Sequence, residues 1–361
     1  MKLPESLEKI YGEEQFTTLQ AQHRAEEIIW GPAVFQAARL MIKYGIFELL
    51  HDHDEGLTME QIEAQTPLSH YAVQVLLESS LTAQTILYKE EHYYLSKTGW
   101  FLLNDPMSKA NMNFNHDVNY LGWFNLEEAL LEGKPSGLKH LGEWSTIYEG
   151  LSHLTPQVQE SWFGFDHFYS DNSFHEALQI IFRNKPRTLL DVGGNMGRWA
   201  LQCVAYDDKV RVTIMDLPQQ LAMMRQATKA KQGADRIEGY GANLLDRNAQ
   251  FPTGFDAIWM SQFLDCFSEE EVVSILSRAA QAMTSDTCLY IMETFWDRQK
   301  YATAAYCLAQ TSLYFTALAN GNSKMYHSED MMRCVEQAGL VVAEIHDHLG
   351  FGHSIMVCHK K

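Results

Sequence analysis

The chain lacks long apolar stretches and has no excess of positive charge. Nowhere among its 361 residues do about 18 apolar residues follow one another, so no transmembrane helix is expected. Residues 1–6 do not resemble a signal peptide, because no apolar segment with small residues follows them. Acidic residues outnumber basic ones by 46 to 28, which gives a net charge of −18. That charge disfavours nucleic acids and anionic membranes as partners.

Closely spaced cysteines are missing as well. The six cysteines are scattered over the C-terminal half, and none forms a Cys-x-x-Cys pair: Cys203, Cys266, Cys288, Cys307, Cys334 and Cys358. This scatter predicts free thiols, no zinc or other metal site, and a cytoplasmic location. Hydrophobic residues make up 46% of the chain, which is enough for about two packed domains.

The N-terminal third shows helical periodicity followed by a short hairpin. Residues 33–50 predict one helix, a second begins after Thr58, and a third follows Ser69. Residues 86–95 indicate two short strands around a charged turn. This order predicts a winged-helix-like module. The third helix, residues 69–87, contains no lysine or arginine, so we expect it to serve dimerisation or packing rather than DNA binding.

From residue 185 onwards, strands and helices alternate. Predicted strands lie at 188–192, 210–216, 255–260 and 288–293, with helices at 197–207, 217–232 and 269–283 between them. Two strand-like runs, 341–346 and 354–359, close the chain. The pattern predicts an α/β, doubly wound sheet that ends in an antiparallel hairpin. The aromatic-rich helical segment 108–184 reads either as ordinary core or as the lining of an apolar ligand pocket.

The strongest local signal is the glycine-rich run LDVGGNMG, residues 190–197, between a strand and a helix. Glycines at such a turn let the backbone approach a ligand closely. A dinucleotide fingerprint is excluded because Val192 stands where its first glycine is required. The carboxylate of Asp191, directly before the glycines, would repel a pyrophosphate and attract an ammonium or sulfonium group.

Two further positions indicate a nucleoside. Asp216 ends the next strand, where an acid can accept hydrogen bonds from both hydroxyls of a ribose. Asn243 can hydrogen-bond an adenine edge while Leu244 packs on the adenine face. A cationic amino acid joined to an adenine nucleoside is S-adenosylmethionine (SAM). The sequence therefore predicts SAM as cofactor and S-adenosylhomocysteine (SAH) as product.

In this order, the motifs resemble the class I SAM-dependent O-methyltransferases of the plant caffeic-acid and bacterial small-molecule type. The resemblance is carried by LLDVGGNMG (189–197), MDLPQQL (215–221), YYLSKTGWFLL (93–103) and FDHFYSDNS (165–173). It implies a Rossmann-like, seven-stranded methyltransferase domain with an N-terminal, mainly helical, winged-helix-like dimerisation domain. The implied division is 1–107 for dimerisation, 108–184 for a helical connector contributing to the acceptor pocket, and 185–361 for SAM binding.

The resemblance also implies the site and the partners. The expected cofactor-binding residues are Asp191, Gly193, Asp216, Leu217, Asn243, Leu244 and Ser261. The expected partners are a small-molecule acceptor and a second copy of the chain in an intertwined homodimer.

The sequence departs from the family around the expected base. Where the family usually carries His-Asp-Trp, this chain has Asp265, Cys266 and Phe267, and Met325 replaces a further acid. Glu293 retains the acid that usually orients the base. We therefore predict Asp265 as the base and Glu293 as its partner. An equal alternative makes Asp265 an acid at the N-terminus of the helix near Ser268, and His327 is a further candidate proton acceptor.

The predicted function is transfer of the SAM methyl group to an oxygen of a small aromatic molecule. Positioning alone contributes roughly 7–11 kcal/mol in the best intramolecular reactions. A general base typically adds about 10²–10⁴-fold, and only when the acceptor arrives protonated. The alternative is a family member that binds SAM or SAH but has lost methyl transfer and serves other chemistry or ligand sensing.

Overall fold

The computed structural model describes residue 3 and residues 5–361. Residues 14–117 form one compact unit, and residues 118–361 form a second with the N-terminal residues up to Glu13. The division expected at 107/108 and 184/185 stays a prediction. Within the described part of the chain, no helix is long and apolar enough to cross a membrane.

The secondary structure alternates between helical and strand segments from residue 185, as expected. The α-helices are α1 Glu5–Tyr11, α2 Thr18–Lys43, α3 Ile46–His51, α4 Met59–Glu63, α5 His70–Thr82, α6 Lys97–Asn104, α7 Pro106–Phe114, α8 Leu126–Glu132, α9 Ile147–Gly150, α10 Pro156–Asp171, α11 Phe174–Ile181, α12 Arg198–Tyr206, α13 Pro218–Thr228, α14 Glu269–Ala282, α15 Ala302–Tyr314 and α16 Ser328–Gln337. The strands are β1 Ile86–Lys89, β2 His92–Leu95, β3 Thr188–Val192, β4 Arg211–Asp216, β5 Ile237–Gly241, β6 Ala257–Ser261, β7 Cys288–Glu293, β8 Leu340–Leu349 and β9 His353–Lys360.

The winged-helix order is confirmed within residues 14–117. Helices α3, α4 and α5 precede the antiparallel hairpin β1–β2, in which Ile86 pairs with Leu95. Thr58 forms a capping box with Gln61 at the start of α4, and Ser69 caps α5. These side-chain oxygens satisfy N–H groups that a helix start leaves without partners.

The single helix predicted over 33–50 is wrong. Helix α2 ends at Lys43 and α3 begins at Ile46, because Gly45 between them is left-handed, with φ of 71°. Glycine adopts that conformation without the steric cost that a Cβ would add. The apolar pattern continues across the break since both helices bury side chains in one core, which hides the turn from periodicity alone.

The expected seven-stranded sheet is confirmed, with strand order β5-β4-β3-β6-β7-β9-β8. Strands β3 to β7 run parallel, while β9 lies antiparallel to both β7 and β8. Sequence patterns missed β5, an edge strand paired with β4. Its sequence contains Gly239 and Gly241, and glycine weakens the strand signal.

Apolar side chains cover both faces of this sheet. In β3, Leu190 and Val192 belong to one buried cluster and Leu189 to another, because alternate side chains of a strand point to opposite faces. Such two-sided burial is typical of parallel sheets. Because β3, β4, β6 and β7 run parallel, their carboxyl ends lie side by side at the same end of the sheet. Ligands bind at this end in open α/β sheets.

Candidate active site

The glycine-rich loop after β3 is a tight turn held against the neighbouring strand. Gly193 has φ of +74° and donates its backbone N–H to the carbonyl of Met215, at 2.9 Å. A Cβ at position 193 would lie 2.3 Å from the ring of Phe263. Only glycine fits both the conformation and the space, so the loop from β6 approaches this backbone directly.

Asp191 is buried at the start of this loop, with 2% of its surface exposed. Burial, and then the negative charge of Asp216, raise the pKa of Asp191 to about 8. Its Oδ2 atom has no hydrogen-bond partner. A buried carboxyl group with an unpartnered oxygen is suited to accept a hydrogen bond from a cationic ligand.

Asp216 ends β4 and is fixed by two backbone groups. Its Oδ2 accepts a hydrogen bond from Asn195 N–H at 2.9 Å, and its Oδ1 accepts one from Leu217 N–H at 2.7 Å. Burial raises its pKa, and these two hydrogen bonds oppose the shift. Each oxygen of a carboxylate can accept a second hydrogen bond. The geometry therefore suits the two hydroxyls of a ribose.

The predicted adenine-binding residues lie in the segment after β5. Asn243 is exposed, and its Oδ1 accepts a hydrogen bond from Leu245 N–H at 3.0 Å, which leaves the side-chain amide N–H groups to face a ligand. Leu244 is buried in the core, whereas Leu245 is 47% exposed. Leu245 offers more apolar surface, so the role assigned to Leu244 stays a prediction.

Two residues that sequence reasoning missed carry unpartnered acceptor oxygens at the same edge. Asn195, in the glycine-rich loop, and Gln262, directly after β6, both have left-handed backbones, with φ of 47° and 45°. Their buried Oδ1 and Oε1 atoms have no hydrogen-bond partner. The signal in the sequence that could have indicated Asn195 and Gln262 is their position in the loops that follow β3 and β6. Ser261, the preceding residue, is half-buried, and its predicted contact with the cofactor stays a prediction.

These atoms provide a test of whether SAM fits. Three side chains have a buried acceptor oxygen that receives no hydrogen bond: Asp191, Asn195 and Gln262. Each carboxylate oxygen of Asp216 receives one hydrogen bond and can accept a second. SAM carries the matching donors in its ammonium group, its ribose hydroxyls and its adenine amine. Because buried acceptors without donors are costly, the residues present fit this ligand.

Asp265 and Glu293 belong to the neighbouring strands β6 and β7, Asp265 in the turn that follows β6 and Glu293 as the last residue of β7. Asp265 lies in the 3₁₀ turn Leu264–Cys266 and is 5% exposed, and Glu293 ends β7 and is 2% exposed. The Oε1 atom of Glu293 accepts hydrogen bonds from the backbone N–H groups of Phe263, at 3.0 Å, and Leu264, at 2.8 Å. Its Oε2 atom has no partner. Glu293 thus holds the turn that carries Asp265.

The two carboxyl groups differ in acidity. Burial raises the pKa of Asp265 to about 6, while hydrogen bonds from the Cys266 thiol and from backbone N–H groups oppose the shift. Burial, and then the charge of Asp265, raise the pKa of Glu293 well above its ordinary value. A proton shared by this pair therefore favours Glu293 over Asp265.

The alternative for Asp265, an acid at the N-terminus of the helix near Ser268, stays open. Ser268 caps α14 and forms a capping box with Glu271. Asp265 lies three residues upstream and accepts a hydrogen bond from the Cys266 thiol, with 3.5 Å between Sγ and Oδ1.

His327 is the cap of α16 rather than a proton acceptor at this site. Its Nδ1 accepts a hydrogen bond from Glu329 N–H at 3.1 Å, and its Nε2 lies 3.6 Å from Asp297. Ser328, the first residue of α16, donates its hydroxyl to Asp297. Met325, the residue in place of a family acid, accepts a hydrogen bond from the Thr294 hydroxyl beside Glu293.

Comparison with protein families assigns both parts of the chain. Residues 22–93 match the Dimerisation2-like domain, and residues 173–340 match the O-methyltransferase domain. Residues 173–340 thus belong to the O-methyltransferase family, and this match contains every expected cofactor-binding residue named above.

Relatives of this methyltransferase are known among bacterial enzymes. The L-tyrosine C(3)-methyltransferase of Streptomyces lavendulae is 22% identical over 316 residues, which cover 86% of this chain and 85% of that protein. The mitomycin biosynthesis 6-O-methyltransferase of the same organism is 22% identical over 332 residues, covering 89% and 90%.

Solved methyltransferases share the fold. The apo form of the SAM-dependent methyltransferase SibL has a TM-score of 0.70 and 21% identity, covering 92% of this chain and 98% of that one. The O-methyltransferase NcsB1, solved with SAM and 2-hydroxy-5-methyl naphthoic acid, has a TM-score of 0.68 and 18% identity, covering 91% and 96%. Among the described residues of this methyltransferase, no group of three or more His, Cys, Asp or Glu could hold a metal ion.

Proposed function

We propose that the protein transfers the SAM methyl group to an oxygen of a small aromatic acceptor, with Asp265 as the base. The observation that carries this proposal is the buried pair of carboxyl groups at Asp265 and Glu293, beside the glycine-rich loop. When bound, SAM supplies an electrophilic methyl group, and the acceptor oxygen forms the new C–O bond as the C–S bond breaks with its electron pair left on sulfur.

The chain's own residues would hold the cofactor and move one proton. Asp191 would bind the ammonium group and Asp216 the ribose, and the hydrogen-bond acceptor positions that both carboxyl groups leave unused support these roles. Asp265, largely ionised at neutral pH, takes the hydroxyl proton of the acceptor. Glu293 is a positioning residue, since its Oε1 fixes the turn that presents Asp265.

A second candidate is methylation of a ring carbon of a phenol. Once Asp265 has taken the proton, a phenolate carries electron density on oxygen and on the carbon beside the C–O bond. The histidine usual in the family is absent, and one relative is named an L-tyrosine C(3)-methyltransferase. In this reaction the ring carbon would form the new C–C bond as the C–S bond of SAM breaks with its electron pair left on sulfur. Asp265 would then return its proton to the oxygen, and the ionised Asp265 would take the proton lost by the ring carbon and release it to solvent.

The protein is also proposed to act as a homodimer in the cytoplasm. The dimerisation-like domain exposes large apolar side chains, including Ile28 at 69%, Ile29 at 64% and Trp30 at 63%. Exposed apolar groups of this kind support a second copy as the partner. The six cysteines are free thiols, which supports a reducing compartment.

The test begins with titration calorimetry of SAM and SAH into the purified protein. We expect micromolar binding that is lost in Asp216→Ala and retained in the matched control Asp235→Ala, an exposed acid. Methyl-labelled SAM and a panel of phenols then give the product, and mass spectrometry distinguishes O-methyl from C-methyl compounds. Binding without any transfer would favour the alternative of a SAM-binding protein that no longer methylates.

A further inference from the structure

We propose that Arg278 is a positioning residue for the cofactor. Through the peptide group between Leu244 and Leu245, it holds the side-chain amide of Asn243 with its N–H donors towards the adenine of SAM. This inference rests on the SAM binding of the proposed function, and it names what the site selects on the base: a ring nitrogen that accepts a hydrogen bond. Arg278 lies on helix α14, outside the loops at the strand ends.

The segment after β5, residues 242–249, begins beside the acid that would bind the ribose. Ala242 N–H donates a 3.0 Å hydrogen bond to the backbone carbonyl of Asp216, and Gly241 pairs with Asp216 in the sheet. Asn243, two residues after the strand, is exposed. A nucleoside bound through its ribose at Asp216 therefore has the segment with Asn243 as its neighbour.

The guanidinium group of Arg278 is buried against this segment. Arg278 is 8% exposed, and it donates hydrogen bonds to three backbone carbonyls of the segment: Leu244 at 2.6 Å, Asp246 at 3.1 Å and Ala249 at 2.9 Å. Its Nε donates to the carbonyl of Ser274, in its own helix, at 3.2 Å. Because burial of a charge is costly without compensating hydrogen bonds, these contacts hold the guanidinium group and the backbone of the segment together.

A single peptide group connects Arg278 with Asn243. The carbonyl of Leu244, which accepts a hydrogen bond from Arg278, and the N–H of Leu245 belong to the same planar unit. That N–H donates to Asn243 Oδ1 at 3.0 Å. Arg278 therefore orients the peptide plane that engages the oxygen of Asn243. With its oxygen engaged, the amide offers its two N–H donors to a ligand.

Leu244 gives this peptide group a second anchor. Its side chain is 7% exposed and packs in the same buried cluster as Ile275 and Ala279 of α14. The residues on either side of it, Asn243 and Leu245, are exposed. Helix α14 thus contributes both to the core around Leu244 and to the hydrogen bond on its carbonyl, and the flanking side chains stay available to the base.

The chemical consequence is a preference for acceptor atoms on the base. Adenine has acceptor nitrogens at N1, N3 and N7, and an amide that offers its N–H groups selects one of them, whereas a freely turning amide does not. A lysine has one ammonium nitrogen in place of the guanidinium fork, so Arg278→Lys cannot hold the carbonyls of Leu244, Asp246 and Ala249 together. The peptide group is then released, and the amide of Asn243 can rotate.

The experiment measures the binding of SAH and of its 1-deaza, 3-deaza and 7-deaza analogues by calorimetry. Each analogue replaces one acceptor nitrogen of adenine by C–H. We expect at least one analogue to bind about tenfold more weakly than SAH, the effect of one lost hydrogen bond, and we call this ratio the deaza penalty. The deaza penalty should vanish in Asn243→Asp, which keeps Oδ1 and loses the N–H donors.

The role of Arg278 is measured by its effect on the deaza penalty. Arg278→Met should abolish the penalty, and Arg278→Lys should reduce it from about tenfold to about threefold. Arg225→Met, which replaces an exposed arginine of α13, should retain it. Arg278→Lys keeps the charge and the aliphatic stem, which separates the effect on Asn243 from a loss of folding. In the Asn243→Asp background, Arg278→Lys should not change the penalty further, because the two residues act in one chain.

The proposal is wrong if no analogue binds more weakly than SAH or if the penalty survives in both Arg278 variants. It is also wrong if Arg278→Lys still changes the penalty beside Asn243→Asp. The proposed function fails separately, since SAH binding with a deaza penalty but without transfer of a labelled methyl group refutes methylation and leaves the role of Arg278 standing. A lack of SAH binding overturns both.

Discussion

The Oε1 atom of Glu293 accepts a 2.8 Å hydrogen bond from the backbone N–H of Leu264, the residue directly before Asp265. With the second hydrogen bond from Phe263, this carboxyl group satisfies two backbone donors of a turn that lies between β6 and α14. A buried N–H without a partner costs about 1–3 kcal/mol. Glu293 therefore determines where Asp265 stands, whether or not it carries charge.

Substitution of Glu293 separates its geometric role from its charge. Glu293→Gln keeps an Oε1 acceptor and resembles the protonated acid, so we expect kcat to fall only a few-fold. Glu293→Ala removes the acceptor from two buried donors, and we expect kcat to fall at least about 100-fold, close to the loss of the base itself. Steady-state kinetics with circular dichroism as a folding control gives the answer. Equal losses in both variants would contradict the positioning role.

Asp265→Asn removes the proposed base. At pH 7 we expect turnover to fall about 10²–10⁴-fold with little change in SAM affinity. In the unsubstituted protein, activity should rise between pH 5 and 7, since burial raises the pKa of Asp265 to about 6 and only the ionised form accepts a proton. The variant should lose that rise.

The loss in Asp265→Asn should shrink towards pH 10, where a phenol ionises without help. Asp286→Asn, an exposed acid in a loop, is the matched control and should behave as the unsubstituted protein does. Unchanged turnover in Asp265→Asn would remove this residue from the mechanism.

The sequence predicted the sheet well and the polar groups around it less well, for a physical reason. Strand β3 is a continuous apolar run because both of its faces are buried, and Asp191 and Asp216 stand at strand ends, where position alone indicates a ligand. By contrast, Asn195 and Gln262 lie in loops, where an amide side chain is equally compatible with solvent. Their buried acceptor oxygens depend on how the loops after β3 and β6 pack, which no local pattern encodes.

The sequence allowed only part of the contacts between site residues to be predicted. Asp265 and Glu293 follow different strands, and their pairing was inferred from a family resemblance rather than from spacing. Gly45 shows the same limit within residues 14–117, since the apolar pattern runs through the break it makes.

Gly193→Ala tests the close approach of the two loops. The substitution places a Cβ at a left-handed φ of +74° and 2.3 Å from the Phe263 ring. We expect a loss of about 1–2 kcal/mol from the backbone alone and more from the clash, together with weaker SAM binding. Adding Phe263→Leu should relieve the clash and restore part of the stability. Thermal unfolding measures both effects.

Gly164→Ala in α10 is the control for Gly193→Ala. A Cβ there meets nothing within 4 Å, so we expect a gain of about 0.5–1 kcal/mol in stability and unchanged SAM binding. A Gly193→Ala protein as stable as this control would show that the loop can move away from Phe263.

Cofactor binding should release a proton from Asp191. Its pKa of about 8 means that the carboxyl group is mostly protonated in the free protein at pH 7, and a ligand ammonium beside it favours the ionised form. Linkage then requires the affinity for SAH to rise with pH, by up to about tenfold between pH 6 and 7, where an α-amino group is still protonated.

Calorimetry in buffers of different ionisation enthalpy counts the released proton directly. Asp191→Asn should bind SAH without proton release or pH dependence, whereas Asp208→Asn, an exposed acid, should retain both. If the heat does not depend on the buffer, Asp191 either binds no ammonium or is already ionised before the ligand arrives, and its assigned role is wrong.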